Sequence, residues 1–241
     1  MSSLKWTGER IIPEEGRYMF ERHLKAYQFA KGFCQDKYVL DAGCGEGYGS
    51  NFLAEIATKI TGIDISDEAN KHAKNKYVRD NLEYKIMDIQ KLDFEDELFD
   101  VVVSFQVIEH LHDAVKFLEG VKRVLKKGGL AIISTPNKSM CKGSETGEYH
   151  EKEYCYDEYV DLINNNLGSS EFYGVHIKSG KHSRLKLTNL ISKLDVFKIR
   201  RLFSSGLRKK TLIAIEKGVS LEITNTKLNS AIDIIGVYRK S

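Results

Sequence analysis

The feature that most constrains this chain is a rhythm between residues 38 and 135. Short apolar runs alternate there with polar stretches of helical length. The runs are Tyr38-Val39-Leu40-Asp41, Lys59 to Asp64, Leu82 to Ile86, Asp100 to Ser104 and Leu130 to Thr135. They are nearly continuous rather than alternating, as expected of strands buried on both faces of a sheet. Strands of this kind separated by helices form βαβ units and a mostly parallel sheet with helices on both faces. The only prolines are Pro13 and Pro136, so few elements are interrupted. Helices are expected over Tyr18 to Cys34, from the Gly43 to Gly49 loop through Ala57, from an N-cap at Ser66 to Lys76, over Asp113 to Leu125, and over Glu153 to Leu167. Glu171 to His176 and Ile232 to Tyr238 read as the last two strands.

At 241 residues the chain suits one domain. Its expected parts are an N-terminal extension and helix (1–36), an α/β core (37–176), an insertion (177–228) and a last strand (229–241). No apolar run approaches the roughly 18 residues that span a bilayer, and Met1 to Gly16 has no signal-like apolar stretch. Cys34, Cys44, Cys141 and Cys155 form no CxxC pair, which disfavours a zinc ribbon. Reduced thiols and a cytoplasmic location are the expectation.

The loop Asp41-Ala42-Gly43-Cys44-Gly45-Glu46-Gly47 follows the first strand and opens a helix. Its glycines let the main chain approach a ligand closely, and the helix start offers free N–H groups. An acid two residues before the first glycine is awkward for a diphosphate. Asp41 suits an α-ammonium group instead, directly or through water. Asp64, at the end of the second strand, is placed to accept from both hydroxyls of a ribose, in NAD or in S-adenosylmethionine. Asp88, just after the third strand, suits an adenine amine, with Ile65 and Ile89 on either side of the ring. Three acids and a glycine loop at successive strand ends converge on one crevice.

These segments carry a resemblance. Val39 to Gly47, Ile63-Asp64-Ile65-Ser66, Met87-Asp88-Ile89, Phe99-Asp100-Val101-Val102 and Leu125 to Gly129 are similar, in order, to the motifs of class I S-adenosylmethionine-dependent methyltransferases. The similarity covers roughly Lys37 to Asn137. It implies a Rossmann-like, doubly wound sheet of seven strands with one antiparallel strand near its end. It also implies S-adenosyl-L-methionine as cofactor, with Gly43 and Gly45 at the methionine end, Asp64 at the ribose and Asp88 at the adenine. Cys44, Tyr48, Ser104 and Phe105 complete the expected cofactor wall.

Methyl transfer to a hydroxyl benefits from a base. His110, in the segment after the fourth strand, is the leading candidate, with Glu109 beside it and the remote His150. Many small-molecule methyltransferases carry a similar Glu-His pair, so the pair does not identify an acceptor. Some relatives hold a divalent ion with Glu-x-x-Glu-His. Here Gln106 stands in the first position, a poorer anionic ligand, which disfavours a metal, although Glu109, His110 and the remote His150 could together still gather one ion. His150-Glu151-Lys152-Glu153 and Trp6 to Pro13 resemble segments of bacterial methyltransferases acting on sugars or glycans. By that likeness His23 and Tyr27 face the cofactor, with Glu9 and Arg10 closing over it.

Ile177 to Lys217 holds 12 basic residues and two acids, a local charge of +10 in a chain of net +3. Lys181 to Lys210 interleaves this charge with apolar residues, and Leu187, Leu190, Ile191 and Leu194 fit one helical face. A helical insertion is expected, with peripheral contact to an anionic membrane as one use. The leading function is O-methylation of a sugar, glycan or other small acceptor. The alternative is an RNA methyltransferase that binds through the insertion. Nucleic acid is disfavoured by the lack of an aromatic stacking series and of an Asn-Pro-Pro-Tyr-type motif. An oligomer is compatible with the same segment.

Overall fold

The computed structural model describes residues 17–140, 150–178 and 220–241. Helix α1 (Arg17–Lys31) precedes β1 (Tyr38–Ala42), α2 (Tyr48–Leu53), β2 (Lys59–Asp64), α3 (Asp67–Lys76) and β3 (Leu82–Ile86). There follow β4 (Phe99–Phe105), α4 (Ala114–Val124), β5 (Leu125–Pro136), α5 (Tyr156–Asn166), β6 (Ser170–Ile177), β7 (Leu221–Thr224) and β8 (Asp233–Arg239). The strands form one sheet in the order β3-β2-β1-β4-β5-β8-β6-β7. β1 to β5 pair in parallel. β8 runs antiparallel between β5 and β6.

The apolar runs are buried on both faces, as their composition requires. Leu40 and Val102 pack with α4 and α5 through Phe117, Leu118, Val121 and Ile163. Their neighbours Val39, Val101 and Val103 point the other way and pack with α1 and α2 through Ala26, Ala30 and Leu53. Ala114, Phe117, Leu118, Val121 and Val124 of α4 recur at helical spacing and are buried, while Val115 faces outward. Its N-cap is Asp113, whose carboxylate accepts from Lys116 N at 2.9 Å. The expected cap of α3 is present too, with Ser66 Oγ accepting from Ala69 N at 3.2 Å.

The sheet has eight strands rather than seven. The added strand is β7, which pairs antiparallel to β6 at the edge, Gly174 opposite Thr224 and Ile177 opposite Leu221. It falls inside the segment expected to be a helical insertion. Leu221 and Ile223 alternate toward the α1 side of the core, which holds a four-residue strand too short to announce itself by periodicity. The basic stretch Lys181 to Lys210 lies outside the described residues, as do Trp6 to Pro13 and Cys141. Cys34, Cys44 and Cys155 are free thiols. Among the described residues no helix is long and apolar enough to cross a membrane.

Candidate active site

The chain turns to opposite sides after β1 and after β4, and a crevice opens at the carboxyl ends of these two neighbouring strands. The β1 loop is built from left-handed turns, with Gly43, Gly45 and Gly47 at φ of 83°, 55° and 93°. At Gly43 the space matters as well. A Cβ there would lie 2.5 Å from Val107 Cγ2, so the loops after β1 and β4 approach only because position 43 has no side chain. Gly43 N and Cys44 N both donate to Ile63 O, at 2.8 and 2.9 Å, which ties the loop to β2. Glu46 anchors the other side. Its side chain is fully buried and accepts from Tyr77 Oη at 2.8 Å and Lys76 Nζ at 3.0 Å, with His72 Nε2 at 3.1 Å.

A cavity of about 360 Å³ lies between these loops. Its walls include Gly43, Gly45, Tyr48, Asp64, Ile65, Asp88, Ile89, Phe105, Gln106, His110 and His23. Asp64 is fixed by two main-chain donors: Gly45 N reaches Oδ2 and Ser66 N reaches Oδ1, each at 2.9 Å. Each oxygen keeps a further lone pair for a ligand. Ile65, beside it, offers an apolar surface that is 72% exposed. Asp88 Oδ1 accepts from Gln90 N at 2.9 Å, and Gln90 Oε1 accepts from Asp113 N at 2.8 Å.

The donor set discriminates between adenosine cofactors. Among the described residues, no lysine or arginine lines the cavity, while Glu46, Asp64 and Asp88 do. Its described side chains thus offer a pyrophosphate three carboxyl groups and no lysine or arginine. Such a wall suits ribose hydroxyls, an adenine amine, and a ligand carrying positive charge.

A polar pole adjoins the cavity through His110. Glu109, His110 and His150 bring one ligating atom each within 4.8 Å of one another, and the rings of His110 and His150 stack edge to face at 4.8 Å. Glu109 is buried, and burial pushes its carboxyl up to about 8. Thr135 Oγ1 donates to Glu109 Oε2 at 3.1 Å, and Lys152 N to Glu109 O at 3.1 Å. His150 Nδ1 lies 3.3 Å from Glu153 Oε1. Desolvation lowers the His23 imidazole to about 3, helped by the nearby Arg22 and His110.

A methyltransferase-domain family matches residues 40–133. A probable S-adenosylmethionine-dependent methyltransferase of Mycolicibacterium smegmatis is 38% identical over 167 residues, 67% of this chain and 64% of that protein. The chain belongs to the class I S-adenosylmethionine-dependent methyltransferases. S-adenosylmethionine is accordingly its cofactor. A methyltransferase of the same description from Mycobacterium tuberculosis is 38% identical over 165 residues, 66% of this chain and 60% of that protein. This methyltransferase thus spans about three fifths of the length of these two relatives. Over 107 residues, 43% of this chain and 45% of the other, it is 33% identical to a ubiquinone biosynthesis O-methyltransferase of Coxiella burnetii. In fold it is similar to a possible histamine N-methyltransferase of Thermotoga maritima, with a TM-score of 0.63 at 18% identity, covering 97% of each chain.

Two expected cofactor residues of the methyltransferase stand behind the wall rather than in it. Asp41 is fully buried and accepts from Ser50 Oγ at 2.6 Å and from Tyr27 Oη at 3.2 Å. Burial raises its carboxyl to about 7, against the opposing effect of the two hydroxyls. Ser104 is buried too, donating to Ala42 O at 2.8 Å. Both brace the glycine loop from beneath. Tyr27, expected over the cofactor, lines the cavity and supports this brace at once.

Sequence reading missed the clamp on the pole's other side. Arg22 of α1 grips Asp233 at the start of β8, with Nε on Oδ2 at 2.6 Å, Nη2 on Oδ1, and Nη2 also on Ile232 O at 3.0 Å. Gln106 joins them from a left-handed backbone at φ 58°, its Nε2 donating to Asp233 Oδ1 at 3.2 Å and to Ser134 Oγ at 3.3 Å. The one available signal was Asp233 itself, a lone acid opening an apolar strand.

Proposed function

We propose that this methyltransferase moves the methyl group of S-adenosylmethionine onto a hydroxyl of a sugar, glycan or other small acceptor. The reading is carried by the cluster of Glu109, His110 and His150, which reaches the cavity through His110. When bound, the cofactor supplies a methyl group already activated on a cationic sulfur. Everything else is the work of the chain. Asp64 accepts from the ribose hydroxyls and Asp88 from the adenine amine, with Ile65 and Ile89 against the ring. The glycine loop gives the amino-acid end close access to main-chain donors. Phe105 and Val107 keep water from the reacting centre. His110, which lines the cavity, accepts the hydrogen bond of the acceptor hydroxyl, and Glu109 and Thr135 hold its segment in position.

Alignment of this kind contributes on the order of 7–11 kcal/mol, and a positioned proton acceptor roughly 10²–10⁴-fold. The similarity to an O-methyltransferase favours an oxygen acceptor. The His150 to Glu153 contact gives the sugar-associated His-x-x-Glu stretch a structural role. Free thiols suit a cytoplasmic setting. The test is transfer of labelled methyl to a panel of monosaccharides, nucleotide sugars, phenols, amines and RNA. The proposal requires label on an oxygen of a small acceptor. Label found only on amines or RNA, or no transfer by protein that binds the cofactor, would refute it.

A further inference from the structure

We propose that Glu109, His110 and His150 form a binding site for a divalent first-row transition cation, with an open position toward the cavity. The chain brings together two imidazoles and one carboxylate from positions 109, 110 and 150, whose ligating atoms lie within 4.8 Å of one another. Glu109 and His110 come from the turn after β4, and His150 from the segment before α5. Two histidines and one carboxylate are a donor set for zinc, iron, cobalt or manganese, and a poor one for calcium or magnesium, which prefer all-oxygen shells. Bonds of about 2.0–2.2 Å put tetrahedral ligands about 3.3 Å apart, so the trio contracts by up to about 1.5 Å around an ion.

Three further observations point the same way. The first is burial. Glu109 is a buried carboxyl with Thr135 Oγ1 on one oxygen, and a divalent ion would hold its ionised form where burial alone disfavours it. The second is the outer contacts. His150 Nδ1 lies 3.3 Å from Glu153 Oε1, and a proton held there leaves the ring's lone pair on Nε2, as in a carboxylate–histidine–metal arrangement. Thr135 Oγ1 similarly holds one oxygen of Glu109. The third is access. His110 lines the cavity, so the fourth ligand position opens where the acceptor is proposed to lie. The cation deepens the proposed function: in its presence the pole polarises the acceptor oxygen through the metal rather than through the His110 lone pair. Binding of the ion itself does not depend on that reading.

The experiment is titration of the metal-free full chain with Co²⁺, followed by visible d–d absorption and by calorimetry, without cofactor or acceptor. Saturable one-to-one binding is expected, weakened at least tenfold by His150→Ala and by Glu109→Gln and displaced by Zn²⁺. His112→Ala, an exposed histidine two residues from His110, should bind as wild type. Circular dichroism melts in chelator establish that each variant is folded. The site is overturned if the folded wild type shows no saturable band up to millimolar Co²⁺, or if binding survives both His150→Ala and Glu109→Gln unchanged. A metal-free pole in an active O-methyltransferase would overturn the site and leave the function standing.

Discussion

Gly49 and Tyr27 are fitted to one another: a Cβ on Gly49 would stand 1.9 Å from Tyr27 Cζ. Tyr27 is buried, packs edge-on against Phe105 at 4.7 Å and Tyr48 at 5.6 Å, and reaches Asp41 through its hydroxyl. Gly49→Ala has to displace that ring, and overpacking of this kind costs about 1–3 kcal/mol. Tyr27→Ala alone should cost about 3–5 kcal/mol. The two changes share one space, so the double variant should be more stable than their sum by about 1 kcal/mol or more, read by chemical denaturation. Simple additivity would mean that the ring does not occupy the place seen here.

Asp64→Ala should weaken S-adenosylmethionine binding by on the order of 100-fold. Two charge-assisted hydrogen bonds to a ligand, at roughly 1.5–3 kcal/mol each, account for that loss. Calorimetry measures it directly. Affinity within threefold of wild type would remove Asp64 from the ribose contact.

Asp41 makes stability depend on pH. Its carboxyl is raised to about 7 in the folded chain from an ordinary value of 3.8. Between those values the folded state holds a proton that the unfolded state has lost, so this group's contribution falls as pH rises. Asp41→Asn removes the dependence. Relative to wild type, the variant should gain up to about 1.4 kcal/mol per pH unit between pH 4 and 7. Parallel stability curves for the two proteins over that interval would contradict the assignment.

The Arg22–Asp233 clamp joins α1 to β8 across 211 residues of sequence. Arg22→Ala strands a buried carboxylate and should cost about 3–5 kcal/mol, with part of the loss regained by adding Asp233→Ala. Thermal or urea unfolding of the single and double variants tests this. Equal destabilisation by each single variant with no recovery in the double would argue against a pairwise role.

His110→Ala should lower kcat by roughly 10²–10⁴-fold while leaving the cofactor dissociation constant near wild type. Parallel loss of cofactor affinity would reassign His110 to the cofactor wall.

The βαβ core was legible because each element carries its own local signal. Strands β1 to β5 are apolar runs, Ser66 and Asp113 are side-chain caps, and the left-handed positions of the β1 loop are glycines. The motif acids Asp64 and Asp88 stand at strand ends in the sequence, and both line the cavity. What could not be read depends on strand order. Nothing near Asp233 in sequence reveals that β8 starts beside Gln106 and Arg22. Gln106 adopts a left-handed backbone that no residue preference announces, since its bonds to Ser134 and Asp233 hold it there. Asp41 looked like a ligand contact because the motif sets it beside the loop. The register of β1, which pairs Asp41 with Gly62 on β2 and Val103 on β4, sends it inward instead.

The position of β8 has a consequence for how the protein is made. This strand lies between β5 and β6 although it is synthesised after both. A ribosome that has reached residue 220 has already released the glycine loop, Asp64, Asp88 and the Glu109 turn, enough to outline the cofactor wall. The growing polypeptide then carries β5 with an unsatisfied ladder of main-chain groups in the middle of its sheet, and Arg22 without its carboxylate. Such an edge attracts foreign strands. Nascent or prematurely terminated forms of this protein are therefore exposed to mispairing, and closure of this sheet waits for a few residues around Asp233.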